Sequence, residues 1–91
     1  MATIAAWLRV DGEHAVEDLQ DAQEKLDTAD GELVLDFSSV RRVDPGAVKA
    51  MERLASVADD KTVRVVLRGV NVEVYKVLKL VKLARRFSFV T

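Results

Sequence analysis

The sequence has no cysteine, one histidine, one proline and four glycines among its 91 residues. Without cysteine, disulfides and thiolate metal sites are excluded, and one histidine excludes a cluster of histidine metal ligands. The glycines form no phosphate-binding loop of the P-loop or dinucleotide type. No apolar run approaches the roughly 20 residues that a membrane-spanning helix needs, and the first ten residues lack a signal-peptide pattern. We therefore expect a cytoplasmic protein with no metal, cofactor or membrane insertion.

The composition is that of an ordinary globular protein, with 49% hydrophobic and 32% charged residues and a net charge of -1. This length predicts a single domain over residues 1–91. We expect no enzyme, because a nucleophile needs a base within reach and the only histidine, His14, lies in a separate segment from the serine pair Ser38 and Ser39. A pair of catalytic carboxylates is left open by the sequence, although Asp36 and Asp44 have structural roles.

Strand and helix patterns alternate along the chain. Apolar and β-branched runs predict strands, and apolar residues at three- and four-residue steps predict helices. The order β-α-β-α-β-α-β implies an α/β fold with a mainly parallel sheet and crossover helices, and the run ELVLDF predicts a second strand buried on both faces. The predicted strands cover residues 3–10, 32–37, 63–67 and 87–90, and the predicted helices cover 13–28, 45–58 and a segment beginning after Asn71.

Asp44-Pro45-Gly46 predicts the start of the second helix. Aspartate is a preferred N-cap, because its carboxylate accepts hydrogen bonds from free backbone N–H groups, and proline suits the first helical position. Asp59-Asp60 is expected to end this helix. Its predicted buried face consists of Ala47, Val48, Met51, Leu54, Ala55 and Ala58.

A buried strand that ends in Asp36, followed eight residues later by Asp44 at a helix start, resembles the STAS domain family of sulphate transporters and anti-sigma factor antagonists. The family pattern is an apolar strand, Asp, a short loop with an apolar residue, and Asp-Ser-Ser-Gly at the helix start. The later strand VRVVLRGV and the helix after Asn71 follow in the family's order. The resemblance covers roughly residues 13–91 and implies a STAS-like fold.

Two departures from the family pattern stand out. Many members are switched by phosphorylation of the second serine in Asp-Ser-Ser-Gly, but without a gap Pro45 and Gly46 replace both serines. A one-residue gap would place Gly46 on the family's glycine and would still leave no serine. Members also often begin with two strands, whereas this chain has room for about one before its first helix. The usual phosphorylation switch is therefore expected to be absent.

The resemblance implies a bacterial regulatory domain that binds a protein, such as an anti-sigma factor or a subunit of a signalling or transport complex. Family domains bind through the loop at the helix start and the helix that follows. The exposed side of the second helix and the loop before it supply the predicted contacts. The predicted partner-binding residues are Arg41, Arg42, Asp44, Pro45, Gly46, Lys49, Glu52 and Arg53.

Other kinds of partner remain as alternatives. The main alternative is a sensing module that binds a nucleotide or lipid between the helix starts. The basic stripe of the last helix, Lys76, Lys79, Lys82 and Arg86, is a weak nucleic-acid candidate, because stacking aromatics are missing from it apart from Tyr75. We expect this stripe to be solvated or paired with the acidic first helix rather than to bind nucleic acid.

Two features of the sequence are compatible with self-association: the uneven distribution of charge along the chain and the position of the first strand. Residues 1–36 hold ten acidic and two basic residues, whereas residues 37–91 hold five acidic and twelve basic ones, which suits an asymmetric contact surface or head-to-tail association. Trp7 and the three phenylalanines are expected in the core. If the first strand leaves an open sheet edge, Trp7 would be partly exposed, and pairing of that edge with a second copy would form a homodimer.

Overall fold

The computed structural model describes residues 6–29 and 31–90. Within them the predicted order β-α-β-α-β-α-β is confirmed, with a short 3-10 turn before the last strand. The predicted start of the first strand, residues 3–5, and Asp30 of the turn after the first helix lie outside the described residues. The elements are β1 (Ala6–Arg9), α1 (Ala15–Lys25), β2 (Glu32–Asp36), α2 (Pro45–Lys61), β3 (Arg64–Arg68), α3 (Val72–Leu80), the turn Ala84–Arg86 and β4 (Ser88–Val90).

The four strands form one sheet in the order β1-β2-β3-β4. Every neighbouring pair is parallel, which confirms the predicted parallel sheet. The register aligns Leu8 with Leu35, Leu35 with Leu67, and Leu67 with Phe89. Strand order therefore equals chain order, and each crossover connects neighbouring strands.

All three helices lie on one face of this sheet. Right-handed crossovers that always step in the same direction place their helices on the same side. Side chains from that face of the sheet and from the helices form one core. Its largest fully buried members are Phe37, Leu19, Leu26, Leu33, Leu35, Met51, Leu54, Leu67, Leu78, Val10, Val40 and Val74.

The prediction that β2 is buried on both faces is wrong. Leu33 and Leu35 are fully buried in the core, but Val34 between them is only half-buried and lies outside the core cluster. None of the described helices covers the face of the sheet to which Val34 belongs. The apolar run ELVLDF suggested two covered faces, whereas sequential strand order allows only one helical layer.

We call this uncovered side of the sheet the bare face. Trp7 is 51% exposed on it, so the expectation that Trp7 lies in the core is wrong. Its exposure comes from the alternation of side chains along β1, which places Leu8 toward the helices and Trp7 away from them. Phe37 and Phe87 are buried and Phe89 packs partly against the core, as expected. The bare face consists of Trp7, Arg9, Glu32, Val34, Asp36, Arg64, Val66, Arg68, Ser88 and Val90.

The α2 helix is longer than predicted. It continues through Asp59 and Asp60 to Lys61 and ends because Thr62 adopts a left-handed backbone (φ 57°). The Val63 amide then donates a hydrogen bond to the Ala58 carbonyl at 2.9 Å, which satisfies one of the last carbonyls of the helix. The predicted buried face is confirmed except for Val48, which is only half-buried, and Ala50 is buried in addition.

Candidate partner-binding site

The start of α2 has the predicted cap. Asp44 adopts an extended backbone, and its Oδ1 accepts a hydrogen bond from the Ala47 amide at 2.8 Å. Pro45 occupies the first helical turn, and Gly46 follows it. All three residues of the Asp-Pro-Gly sequence are exposed. The cap fixes the helix start while leaving its outer surface accessible.

The loop between β2 and α2 is held in place from a distant part of the chain. The Asn71 side-chain amide donates to the carbonyl oxygens of Val40 and Arg41, both at 3.3 Å. Its Oδ1 also accepts a hydrogen bond from the Val74 amide at 2.7 Å, which confirms Asn71 as the α3 cap. The sequence predicted only the cap, because the contact with a loop about 30 residues away has no local signal.

The loop between β1 and α1 packs against the same region from the other side. The Ser39 hydroxyl donates to the Val10 carbonyl at 2.9 Å. At Gly12 the two loops approach so closely that a Cβ would lie 2.7 Å from the Ser39 carbonyl oxygen. Ser39 therefore has a structural hydrogen bond, and glycine is required at position 12 by this close approach.

Together these two loops line an open cleft of about 1020 Å³ at the carboxyl edge of the sheet. Four carboxylates and two guanidinium groups line it, so the cleft has mixed charge with an acidic excess. No group of three or more described residues is arranged to bind a metal ion. The charged residues of the cleft are Asp11, Glu13, Glu17, Asp44, Arg41 and Arg42.

The remaining predicted contact residues lie further along α2. Lys49, Glu52 and Arg53 are all exposed and share one side of the helix at three- and four-residue spacing. Arg53 also borders a groove between α1 and α2, next to Glu24 and Asp27. The structure therefore separates the eight predicted residues into a cleft, which Arg41, Arg42 and Asp44 line, and an adjoining helix surface.

Asp36 ends β2 with a hydrogen bond that the sequence did not reveal. The Ser38 amide donates to its Oδ1 at 2.9 Å. Hydrogen bonds from the side chain and the backbone of Ser38, together with the positive charges of Arg9 and Arg68, hold the pKa of the Asp36 carboxyl below its ordinary value. Asp36 therefore carries a negative charge between two arginines on the bare face.

The basic stripe predicted on the last helix is not one helical face, because α3 ends at Leu80 and both Lys82 and Arg86 lie beyond it. Among the described residues, no ion pair joins the stripe to α1. Its last member, Arg86, forms an ion pair with Asp59 of α2 at 2.7 Å. Asp27, just after α1, pairs instead with Lys61 of α2 at 2.6 Å. Lys76, Lys79 and Lys82 are exposed. The reason is the strand order, because α2 lies between the acidic and basic helices.

A small apolar depression of about 280 Å³ lies beside α3 and β4. Tyr75 packs edge-on against Phe89 there, with ring centroids 5.1 Å apart. Val70, Val72 and Val90 complete its apolar lining. Because Tyr75 contacts another ring, its own ring is partly occupied by packing within the chain.

Among the described residues, the helices are too short or too polar to cross a membrane. A search of curated protein sequences yields no significant match.

Solved structures share the fold. A crystal structure from Thermotoga maritima of TM1081, named as a proposed anti-sigma factor antagonist, is 16% identical, with a TM-score of 0.73 over 97% of this chain and 81% of that chain. An NMR structure of TM1081 is 18% identical, with a TM-score of 0.74 over 92% of this chain and 71% of that chain. The family model described as "Mlab, STAS domain" matches residues 4–91. This chain therefore belongs to the STAS domain family.

Proposed function

We propose that this chain is a single, non-catalytic bacterial regulatory domain of the cytoplasm that binds a protein partner through the start and outer side of α2. The partner would be an anti-sigma factor or a subunit of a signalling or transport complex. The observation that carries the proposal is the exposed surface from Arg41 to Arg53. Its loop is fixed by the Asn71 side chain and its helix start by Asp44.

A fixed and exposed surface suits protein recognition. Contact side chains bind best when neighbouring packing already holds them in place. Lys49 and Arg53 project from the same side of a 17-residue helix, whose opposite side is anchored in the core by Met51 and Leu54. An acidic partner surface would complement these two cations and attract the domain at long range.

We further propose that serine phosphorylation at the usual family position does not switch this binding. Pro45 and Gly46 carry no hydroxyl, and the nearby Ser39 hydroxyl is engaged with the Val10 carbonyl. Gly46→Ser restores a hydroxyl at the helix start. A Cβ there would meet Asp44 Oδ1 at 3.4 Å and Val16 Cγ2 at 3.5 Å, which are ordinary contact distances.

The test is a capture experiment from native cell extract with the wild-type domain and the variant Lys49→Glu/Arg53→Glu. The captured protein is then purified, and its dissociation constant is measured for both forms. The matched control is Lys76→Glu/Lys79→Glu, which makes the same charge change on an exposed part of α3. We expect at least about a tenfold loss of affinity for the α2 variant and less than about a twofold change for the control.

Equal affinity of the α2 variant and the wild type would show that the partner binds elsewhere. Loss of binding in both variants would indicate a nonspecific charge effect. Capture of no protein by the wild type would refute the proposed class of partner.

The nucleotide- or lipid-sensing alternative has less support. The four carboxylates of the cleft repel phosphate groups, and only two arginines oppose them. The apolar depression beside α3, at about 280 Å³, is at the lower limit of small-ligand pockets, roughly 300 Å³. Saturable binding of ATP or GTP in a calorimetric titration, abolished by Arg41→Ala/Arg42→Ala, would reverse this preference.

A further inference from the structure

The bare face is one side of an all-parallel sheet, and none of the described helices covers it. Sheets of this kind occur almost only with both faces covered, because their strands carry apolar residues on both sides. Here Trp7 is 51% exposed, and Val34 beside it is half-buried. The indole and the valine are neighbours in register across β1 and β2. Val66 follows in the same register on β3 but is only 6% exposed. The apolar strip across the bare face is therefore open at Trp7, half-covered at Val34 and covered at Val66.

Charged residues border this strip, and their arrangement allows the bare faces of two copies to pair acids with bases. Strand β2 presents the acids Glu32 and Asp36, and β3 presents the bases Arg64 and Arg68 at the same register positions. The two central strands therefore carry opposite charges at matched heights. A surface of this kind becomes complementary to itself when β2 and β3 exchange places, as happens across a two-fold axis.

We propose that a second copy of this chain covers the bare face. The two-fold axis runs parallel to the strands, between β2 and β3, so that β2 of each copy lies over β3 of the other. The sheets then pack face to face with their strands in the same general direction, as in an aligned sandwich. The facing pairs are Glu32 with Arg64, Asp36 with Arg68, Val34 with Val66, and Trp7 with Ser88.

The charges also select the direction of the strands. If the axis instead ran across the strands, each strand would lie antiparallel over its own copy. Glu32 would then face Asp36 of the other copy, and Arg64 would face Arg68, so both pairs would repel. Like charges in juxtaposition disfavour an association, whereas opposite charges fix its register. Only the arrangement with strands in the same direction pairs every one of these charges with its opposite.

The area of the bare face limits the affinity of the proposed dimer. With about 4.8 Å between strands and about 3.3 Å per residue, the face measures roughly 19 Å by 16 Å. This footprint, roughly 300 Å² per copy, is well below the roughly 800 Å² per partner of a standard stable interface. The dimer is therefore weak and reversible, and it forms at high protein concentration. Its surface lies on the other side of the sheet from α2, so it is independent of the proposed partner site.

The test uses sedimentation equilibrium of the full chain between about 10 µM and about 1 mM. The wild-type mass is expected to rise from 10.1 kDa toward twice that value. Glu32→Lys and Arg64→Glu each place like charges opposite one another, and each is expected to weaken the dimer at least about tenfold. In an equimolar mixture, the new Lys faces the new Glu and the original charges face each other, so affinity returns close to that of the wild type.

The single tryptophan provides a second measurement on unmodified protein. Association removes water from Trp7, so its fluorescence emission shifts to shorter wavelength with the same concentration dependence as the mass. Lys76→Glu on α3 is the matched control and leaves both curves unchanged. Circular dichroism of each variant establishes that it is folded.

Three results would overturn the proposal. The first is a wild-type protein that stays monomeric with unshifted Trp7 emission at the highest concentration. The second is a dimer that neither charge reversal weakens, which would place the contact at a sheet edge or elsewhere. The third is a mixture of the two variants that fails to recover affinity, which would exclude the facing of Glu32 and Arg64. Recovery in the mixture, with the Trp7 shift, would support it.

Discussion

Asp44 is the residue on which the start of α2 depends. Its carboxylate accepts the hydrogen bond from the Ala47 amide. We expect Asp44→Ala to lower the free energy of unfolding by about 1 kcal/mol, a typical loss for an N-cap. Asp60→Ala in the last turn is the control and should change stability by less than about 0.5 kcal/mol. Equal losses in urea unfolding would contradict a specific capping role.

Two glycines differ sharply in their surroundings. At Gly12 a Cβ would lie 2.7 Å from the Ser39 carbonyl oxygen, whereas at Gly46 a Cβ would lie 3.4 Å from Asp44 Oδ1. We expect Gly12→Ala to destabilise the fold by about 1–3 kcal/mol, because backbone must move. Gly46→Ala should be neutral or stabilising by up to about 1 kcal/mol. Thermal unfolding of the two variants measures the contrast, and similar midpoints would refute it.

Asp36 makes stability depend on pH. Its folded pKa lies below the ordinary value of 3.8, so folding favours the charged form. This contribution is complete above the unfolded pKa and is lost as pH falls through the lowered folded pKa. Asp36→Asn keeps an oxygen for the Ser38 amide but removes the charge. The wild type should therefore be more stable than this variant at pH 7, and the difference should vanish in acid. An unchanged difference in urea unfolding at pH 7 and pH 3 would exclude this explanation.

Local sequence patterns predict the contacts that a residue makes with its near neighbours in the chain. The caps formed by Asp44 and Asn71 follow from residue type and from position before an apolar periodic segment. The hydrogen bonds from Asn71 to the β2–α2 loop and the close approach at Gly12 did not follow. Both join residues that are about 30 positions apart or lie in different loops, so no local pattern encodes them.

Among the elements, α2 contributes most to the core, with six buried residues. Leu54 of α2 is fully buried in the core, whereas Leu80 at the end of α3 is 82% exposed. Leu54→Ala is expected to cost about 2–5 kcal/mol, through lost burial and the cavity that remains. Leu80→Ala makes the same chemical change and should cost less than about 0.5 kcal/mol. Chemical denaturation distinguishes them, and a comparable loss at both sites would contradict the assigned packing.

The order of strands and helices was predictable because the spacing of apolar residues changes between strand-like and helix-like at each predicted turn. The end of α2 was not predictable. Asp59-Asp60 suggested that the helix stops there, but the helix ends at Lys61, before the left-handed Thr62. The burial of β2 was also misjudged. An apolar run of this length shows that a strand is largely apolar, but only the strand order determines how many of its faces a helix covers.

In the whole molecule, strand order follows chain order, so the acidic and basic parts of the sequence lie on opposite sides of the fold. The acidic first third forms β1, α1 and β2, and the basic last third forms β3, α3 and β4. No local sequence pattern indicates which face of the sheet the helices leave open. The candidate partner-binding residues were predictable only as a group on the second helix and the loop before it, because their division between a cleft and the adjoining helix surface depends on how α1 packs.

The strand order also bears on how the chain is made. Each strand after β1 pairs with the strand that immediately precedes it in the chain. During synthesis from the N-terminus, every new strand therefore finds its neighbour already emerged, and no early strand waits for a late one to be inserted beside it. Waiting strands with open edges are the species that aggregate during folding. In this domain, translation and assembly can proceed in the same direction and one unit at a time.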